Sequence, residues 1–127
     1  MEENIPKHIY AQLEQDLFQR IQSLYMTQLG HQISSVSCQL IDKTLTITVE
    51  DPITQPEKLL IESGKHELAQ EVRSTIYKAL QPLMKELIEE VVGVSVSELL
   101  GTSEIQTGHT SIIAILVATP QTANFSS

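Results

Sequence analysis

Twice along this chain the spacing of apolar residues switches from helical to strictly alternating. That repeated switch limits the folds open to it more than any other feature. From about Lys7 to Leu29, Leu13, Leu17, Ile21 and Leu24 recur at helical spacing, flanked by Phe18 and Tyr25. Gln12, Gln15, Gln19 and Gln22 fall mainly on the other side. Gly30 offers an end to this helix, because only glycine enters the left-handed conformation without steric cost. Next, Val36, Cys38 and Leu40 alternate with polar residues, as do Leu45, Ile47 and Val49. Thr44, Thr46 and Thr48 complete the second strand's outer face, and Asp42-Lys43 sits between the strands at hairpin spacing. Such a sheet is apolar on one face and needs cover on that side only.

The second unit repeats the order of elements but not the residues. Asp51-Pro52 ends the strand. Thr54-Gln55-Pro56-Glu57 fits a capping box, a Thr N-cap with Glu three residues on and Pro in the first turn, so a short helix over about 55–62 is expected. Ser63-Gly64 interrupts it. A long helical pattern covers about 65–92, with Leu68, Val72, Ile76, Leu80, Leu83, Leu87 and Val91 assigned to one face, and Gly93 closes it. Two strands at about 94–104 and 110–118 follow, with Gln106-Thr107-Gly108-His109 as their turn.

Two helix–hairpin units combine into an α+β two-layer sandwich: a four-stranded antiparallel sheet with helices on one face, in the order α-β-β-α-α-β-β. The 127 residues make one domain over 7–118, with an N-terminal tail at 1–6 and a flexible C-terminal tail at 119–127. One helix over 65–92 spans about 42 Å, against about 27 Å for an eight-residue strand. The helix therefore bends at Pro82, which lacks a donor and clashes with the Lys78 carbonyl, stops early, or overhangs. An overhanging end would expose Leu83, Met84, Leu87, Ile88 and Val91 and call for a second subunit, so a homodimer is expected through this surface, with Glu86, Glu89 and Glu90 beside it.

The charge balance removes several functions. Eight Lys and Arg stand against sixteen Asp and Glu, a net charge of −8, and residues 93–127 contain no Lys or Arg. Nothing supplies the basic stripe that phosphate neutralisation requires, and with no Trp, base-stacking platforms are not expected either. No nucleic-acid partner is expected. No apolar run approaches the roughly 20 residues that span a bilayer, and no signal peptide opens the chain. The lone Cys38 excludes an internal disulfide. A cytoplasmic protein without direct membrane insertion follows as the expectation.

Candidate chemistry is sparse. Ser63-Gly64-Lys65-His66 resembles the end of a phosphate-binding loop but has Leu59 where glycine is needed and His66 where Ser or Thr is needed. His66-Glu67-Leu68-Ala69-Gln70 lacks the second imidazole of a zinc-protease helix. His8, His31 and His109 are scattered, so no metal and no cofactor is expected. Cys38 sits among apolar alternates and reads as a structural thiol rather than a nucleophile. Glu86, Glu89 and Glu90 crowd a helix C-terminus, where carboxylates oppose the macrodipole. They read as a solvated face or an acidic docking patch. Lys58, Lys65 and Arg73 gather near the break at Gly64, where helix amides favour anions, and form a candidate small-ligand or anion site.

An ordered set of short segments carries a family resemblance. It runs through Leu24-Tyr25, Leu29-Gly30-His31-Gln32, Thr54-Gln55-Pro56-Glu57-Lys58-Leu59-Leu60, Glu62-Ser63-Gly64, Arg73, Leu87-Ile88-Glu89-Glu90-Val91-Val92-Gly93 and Thr107-Gly108. Over about residues 7–118 the chain resembles the MpsC-type family of small bacterial proteins, long catalogued as a domain of unknown function. The family is named for a sodium-translocating, membrane-potential-generating system, where it accompanies membrane subunits linked to inorganic-carbon uptake. The resemblance implies an accessory or regulatory protein, peripheral to the cytoplasmic face of a membrane transport complex, rather than the translocating subunit, and it carries over no catalytic residue. Where the family pattern often has Arg after Thr107-Gly108, this chain has His109, the candidate for an anion contact that the departure weakens.

Three functions are compatible with this footing. The first is a non-enzymatic accessory protein that docks on other proteins. The second is a small-ligand or anion sensor using Lys58, Lys65 and Arg73, and the third a small hydrolase. The first is the expected reading.

Overall fold

A computed structural model describes residues 7–120. Its elements are α1 (Lys7–Leu29), β1 (Ser35–Ile41), β2 (Thr44–Glu50), α2 (Gln55–Glu62), α3 (His66–Val92), β3 (Val96–Glu104) and β4 (His109–Leu116). The expected fold class and element order are the observed ones. The four strands form a single antiparallel sheet in the order β1-β2-β4-β3, so the hairpins meet through β2 and β4.

Register sorts the strand residues into rows. On the covered face, Leu40, Leu45, Ala114 and Leu99 share one row, and Cys38, Ile47, Ile112 and Gly101 the next. A third row runs Val36, Val49, Thr110 and Ser103 and turns polar at its β4 and β3 end. Leu13, Leu17, Ile21 and Tyr25 of α1 close over these rows, together with Tyr77, Leu80, Met84, Leu87, Ile88 and Val92 of α3. Each fully buried aliphatic side chain contributes about 1.5–3 kcal/mol.

The buried stripe of α3 is not the one its apolar residues suggest. The buried positions are Ala69, Arg73, Tyr77, Leu80, Met84, Leu87, Ile88 and Val92. Leu68 and Leu83 are exposed, and Val72, Ile76 and Val91 are half-buried. Helical geometry explains the difference. At 3.6 residues per turn, three successive steps of four drift by about 120° around the helix. Leu68, Val72, Ile76 and Leu80 therefore cannot share one face, whereas a seam mixing steps of three and four stays in place.

α3 continues through Pro82 as one helix. Its C-terminal half is covered by this chain itself: Met84 and Ile88 are fully buried and Leu87 nearly so, beneath α1 and over the sheet. Of the apolar residues expected to face a second subunit, only Leu83 is exposed. Gly93, left-handed at φ 78°, ends the helix and donates its N–H to the Glu89 carbonyl. At the other boundary, Thr119 Oγ1 donates to Asp42 Oδ1 and Pro120 is buried, so residues 119–120 are tied to the domain. The expected tail at 1–6 and the remainder, 121–127, of the tail expected at 119–127 lie outside the described residues, as does the side chain of His8.

α3 runs along β3, and the two fit closely at one point. The phenol end of Tyr77 sits over Gly101, where a Cβ would lie 2.7 Å from the Tyr77 ring carbon Cζ and 2.9 Å from the Ser111 carbonyl. The Tyr77 hydroxyl is buried without a hydrogen-bond partner. The neighbouring Gln81 amide donates instead to the Leu99 carbonyl at 3.0 Å. Burial pushes the Tyr77 phenol above its usual range. Gly101→Ala is expected to cost about 1–3 kcal/mol in urea unfolding, the usual range for overpacking. Tyr77→Phe removes only the orphaned hydroxyl and should leave stability unchanged or raise it by about 1 kcal/mol.

Candidate functional site

The polar row of the sheet is where α2, β3 and the end of β2 converge on one side chain of α3. Arg73 projects from the buried stripe of α3 and is 3% exposed. Its Nε donates to Ser103 Oγ at 2.9 Å and its Nη1 to Glu57 Oε1 at 3.0 Å. Nη2 donates to the Asp51 carbonyl and lies 3.3 Å from Asp51 Oδ2. Local chemistry delivers each partner. Asp51 follows the last residue of β2, its N–H held by the Gly108 carbonyl at 2.7 Å. Glu57 arrives through the capping box of α2, where Thr54 N–H donates to Glu57 Oε1 at 2.9 Å. Ser103 and Thr110 face each other across β3 and β4.

Hydrogen-bond directions follow from the acceptors. An ionised carboxylate only accepts, so the Thr110 hydroxyl donates to Asp51 Oδ2 at 3.3 Å and the Ser103 hydroxyl donates to Thr110 Oγ1 at 2.7 Å. On the same ground, His31 Nε2 carries the proton it shares with Asp51 Oδ1 at 2.7 Å. His31 comes within reach because α1 ends at Gly30, whose N–H bonds back to Met26. The imidazole lies 6.3 Å from the Tyr25 ring. Burial, then the charge on Asp51, push the Tyr25 phenol well above its usual range.

These groups line a cleft between α1 and α2, floored by α3, with Leu29, Ile76 and Leu80 as its apolar part. The cavity volume is about 30 Å³, room for a water or two. Every ionised group on its floor already has an opposite charge or a donor in contact. A buried guanidinium needs such pairing, because an uncompensated charge there costs several kcal/mol.

A family model described as Na+-translocating membrane potential-generating system (MpsC) matches residues 10–118. The chain belongs to the MpsC family. The match covers every strand and nearly all of the helical layer, so the cleft lies wholly within the MpsC domain. No curated protein and no solved structure matches. Among the described residues, no helix is long and apolar enough to cross a membrane.

The four residues expected to bind an anion are not brought together. Arg73 is buried and committed to carboxylates. Lys58 and Lys65 are exposed, Lys58 on the outer side of α2 beside Leu59 and Glu62. His109 stands on the opposite, uncovered face of the sheet, between Glu50 and Glu104. The acidic trio also separates. Glu89 accepts from Val96 N–H at 2.8 Å, Glu90 pairs with Arg20 of α1, and Glu86 is exposed. Both partners of the Arg20–Glu90 pair are about half exposed, which makes it worth little.

Sequence reading missed Asp51, His31, Ser103 and Thr110 as a cluster and took Glu57 as a cap alone. One signal was available. Arg73 sits four residues from both Ala69 and Tyr77, and a charged residue in a buried stripe demands buried counter-charges.

Cys38 is half-buried in β1, and its N–H donates to Glu14 Oε2 at 2.8 Å. Burial, then the Glu14 charge, push the thiol up to about 12. Labelling by an aromatic disulfide at mildly alkaline pH should be on the order of a hundredfold slower in the folded protein than in urea, and Glu14→Gln should speed it. Because the folded state holds this proton more tightly, the stabilisation is complete below the unfolded value of 9.0 and is lost as pH rises toward about 12. Urea midpoints should therefore fall over that interval. Arg73→Met strands two buried carboxylates and is expected to cost about 3–5 kcal/mol. Adding Asp51→Asn and Glu57→Gln should recover part of that loss, and purely additive losses would count against the network.

Proposed function

We propose that this MpsC-family protein is a non-enzymatic accessory or regulatory component of the membrane system for which its family is named. On this reading it acts as a homodimer in the cytoplasm, by binding another protein, and the membrane-crossing step belongs to other chains. The saturated cleft floor carries the reading. Arg73, Asp51, Glu57 and His31 are the groups that would otherwise serve as acid, base or anion binder, and each is held by the others. A cleft of about 30 Å³ with its polar groups already paired supports a binding role over catalysis at this place, and a thiol pushed up to about 12 makes a poor nucleophile. The rim is of the opposite character. Leu29 and Ile53 are exposed at the mouths of α1 and α2, with Met26 and Leu83 exposed on the same helical layer. Apolar side chains around a closed polar floor suit contact with another protein.

The anion-sensor alternative loses its central group, since Arg73 cannot turn to a ligand without abandoning two buried carboxylates. Affinity purification of the tagged chain from its native host should bring down an integral membrane subunit. Leu29→Asp with Ile53→Asp should abolish that capture while the melting temperature stays within a few degrees. Unchanged ion uptake in a deletion strain, or turnover of simple ester or phosphate substrates by the purified chain, would overturn the reading.

A further inference from the structure

Among the described residues, none covers the face of the sheet turned away from the helices. Its register gives four rows: Ser35, Glu50, His109, Glu104; then Ser37, Thr48, Ser111, Thr102; then Gln39, Thr46, Ile113, Leu100; then Ile41, Thr44, Ile115, Glu98. The second and third rows contain no charge. Ile41 is 55% exposed, Leu100 49% and Ile113 39%, and Val117 extends the same face at 55%. A monomer gains nothing by exposing four aliphatic side chains on one face, two of them, Leu100 and Ile113, side by side in an uncharged row.

Sideways pairing does not relieve this exposure, because side chains from the helices reach both edges of the sheet. On β1, Glu14 takes the Cys38 N–H. On β3, Gln70 Nε2 donates to the Ser103 carbonyl and Gln81 Nε2 to the Leu99 carbonyl, while Glu89 takes the Val96 N–H. Edges blunted in this way resist strand addition, which leaves the face itself.

We propose that two copies of this chain stack through this sheet face, related by a two-fold axis that lies between the sheets, crosses the strands and passes near the row of Thr46 and Ile113. The proposal rests on the homodimer reading above and specifies its surface. Charge selects the axis. The row of Glu50, His109 and Glu104 lies at one end of the strands, and Lys43, the sole Lys or Arg of the two hairpins, lies at the other beside Asp42. Glu98 lies two residues from Leu100, where the axis across the strands sets it over the uncharged Thr102 of the second copy. An axis along the strands would set acidic row on acidic row. The axis across them sets Lys43, three residues from Thr46, over the partner's Glu50, four residues from Thr46 on the other side, while Ile113 and Leu100 meet their own copies at the centre. Area agrees with a stable pair. Four strands about 4.8 Å apart and about eight residues long present roughly 500 Å² in projection. Two such faces bury about 1,000 Å², the lower limit for a specific interface. Aligned sheet packing about 10 Å apart accommodates the interdigitating side chains.

Sedimentation of the full chain at tens of micromolar should give a species of twice the 14.1 kDa chain mass. It should tighten with added salt, since each copy carries a net charge of −8. Ile113→Lys and, separately, Leu100→Lys should each halve the mass with unchanged far-ultraviolet dichroism; having both guards against one variant misfolding. Lys43→Glu should weaken the dimer at least severalfold, and Lys43→Glu with Glu50→Lys should restore it. A monomeric wild-type chain would overturn this proposal and the homodimer reading together. A dimer that survives both lysine variants, or a charge swap that fails to restore affinity, would overturn the stacked arrangement alone and leave the homodimer reading standing.

Discussion

The buried guanidinium of Arg73 is the contact on which the rest of the architecture depends. It sits where the covered face of the sheet changes from apolar to polar, and it joins three elements to α3 at one point: Asp51 at the end of β2, Glu57 on α2 and Ser103 on β3. α2 has eight residues, too few to be helical alone in water. Its hold on the domain comes from the capping box, whose Glu57 serves two masters: the Thr54 N–H and the Arg73 guanidinium. Two well-packed apolar residues could give equal or greater stability here. They would not fix the direction of the chain after β2, which the Asp51 carbonyl and carboxylate do through the same arginine.

That fixed point sets a registry along α3 and β3. Four residues of helix advance about 6 Å, and two residues of strand about 6.8 Å. Arg73 over Ser103, Tyr77 over Gly101 and Gln81 at the Leu99 carbonyl follow in matched steps along the pair. The match explains why Gly101 occupies an otherwise ordinary strand position. Tyr77 comes down where a side chain would point up. It also explains how the helix layer closes an edge of the sheet, since polar residues flanking the buried stripe are delivered at the spacing of the outward-facing carbonyls.

Most of the fold was legible because its signals are periodic. The hairpins follow from alternation at Leu45, Ile47 and Val49, and α2 from the Thr54–Glu57 box. The stripe of α3 was misread because leucine and valine were counted as core by type, while Ala69, Arg73 and Tyr77 carry the buried face. The cleft was not legible for a different reason. Its members lie on six segments, from Tyr25 to Thr110, and what unites them is the placement of Arg73 in three dimensions. The expected second-subunit surface failed on the same grounds, because the apolar end of α3 turned out to be the floor beneath α1.

The two faces of the domain are thereby given different work. On the helix side, the polar groups of the cleft are locked together and its apolar rim is exposed. On the sheet side, no ionised group reaches the centre and the edges are closed. A partner at the cleft rim and a second copy on the sheet would not compete, since the whole thickness of the domain lies between them. Stacking by the sheets places the two helix layers on opposite outer faces, so the proposed dimer carries two equivalent rims pointing apart. A protein of that shape can bridge two copies of its target, and the second contact then forms within one assembly, at an effective concentration set by geometry rather than by supply. For a small chain whose ionisable cleft is spent on its own structure, joining larger components in this way is the use that both free surfaces support.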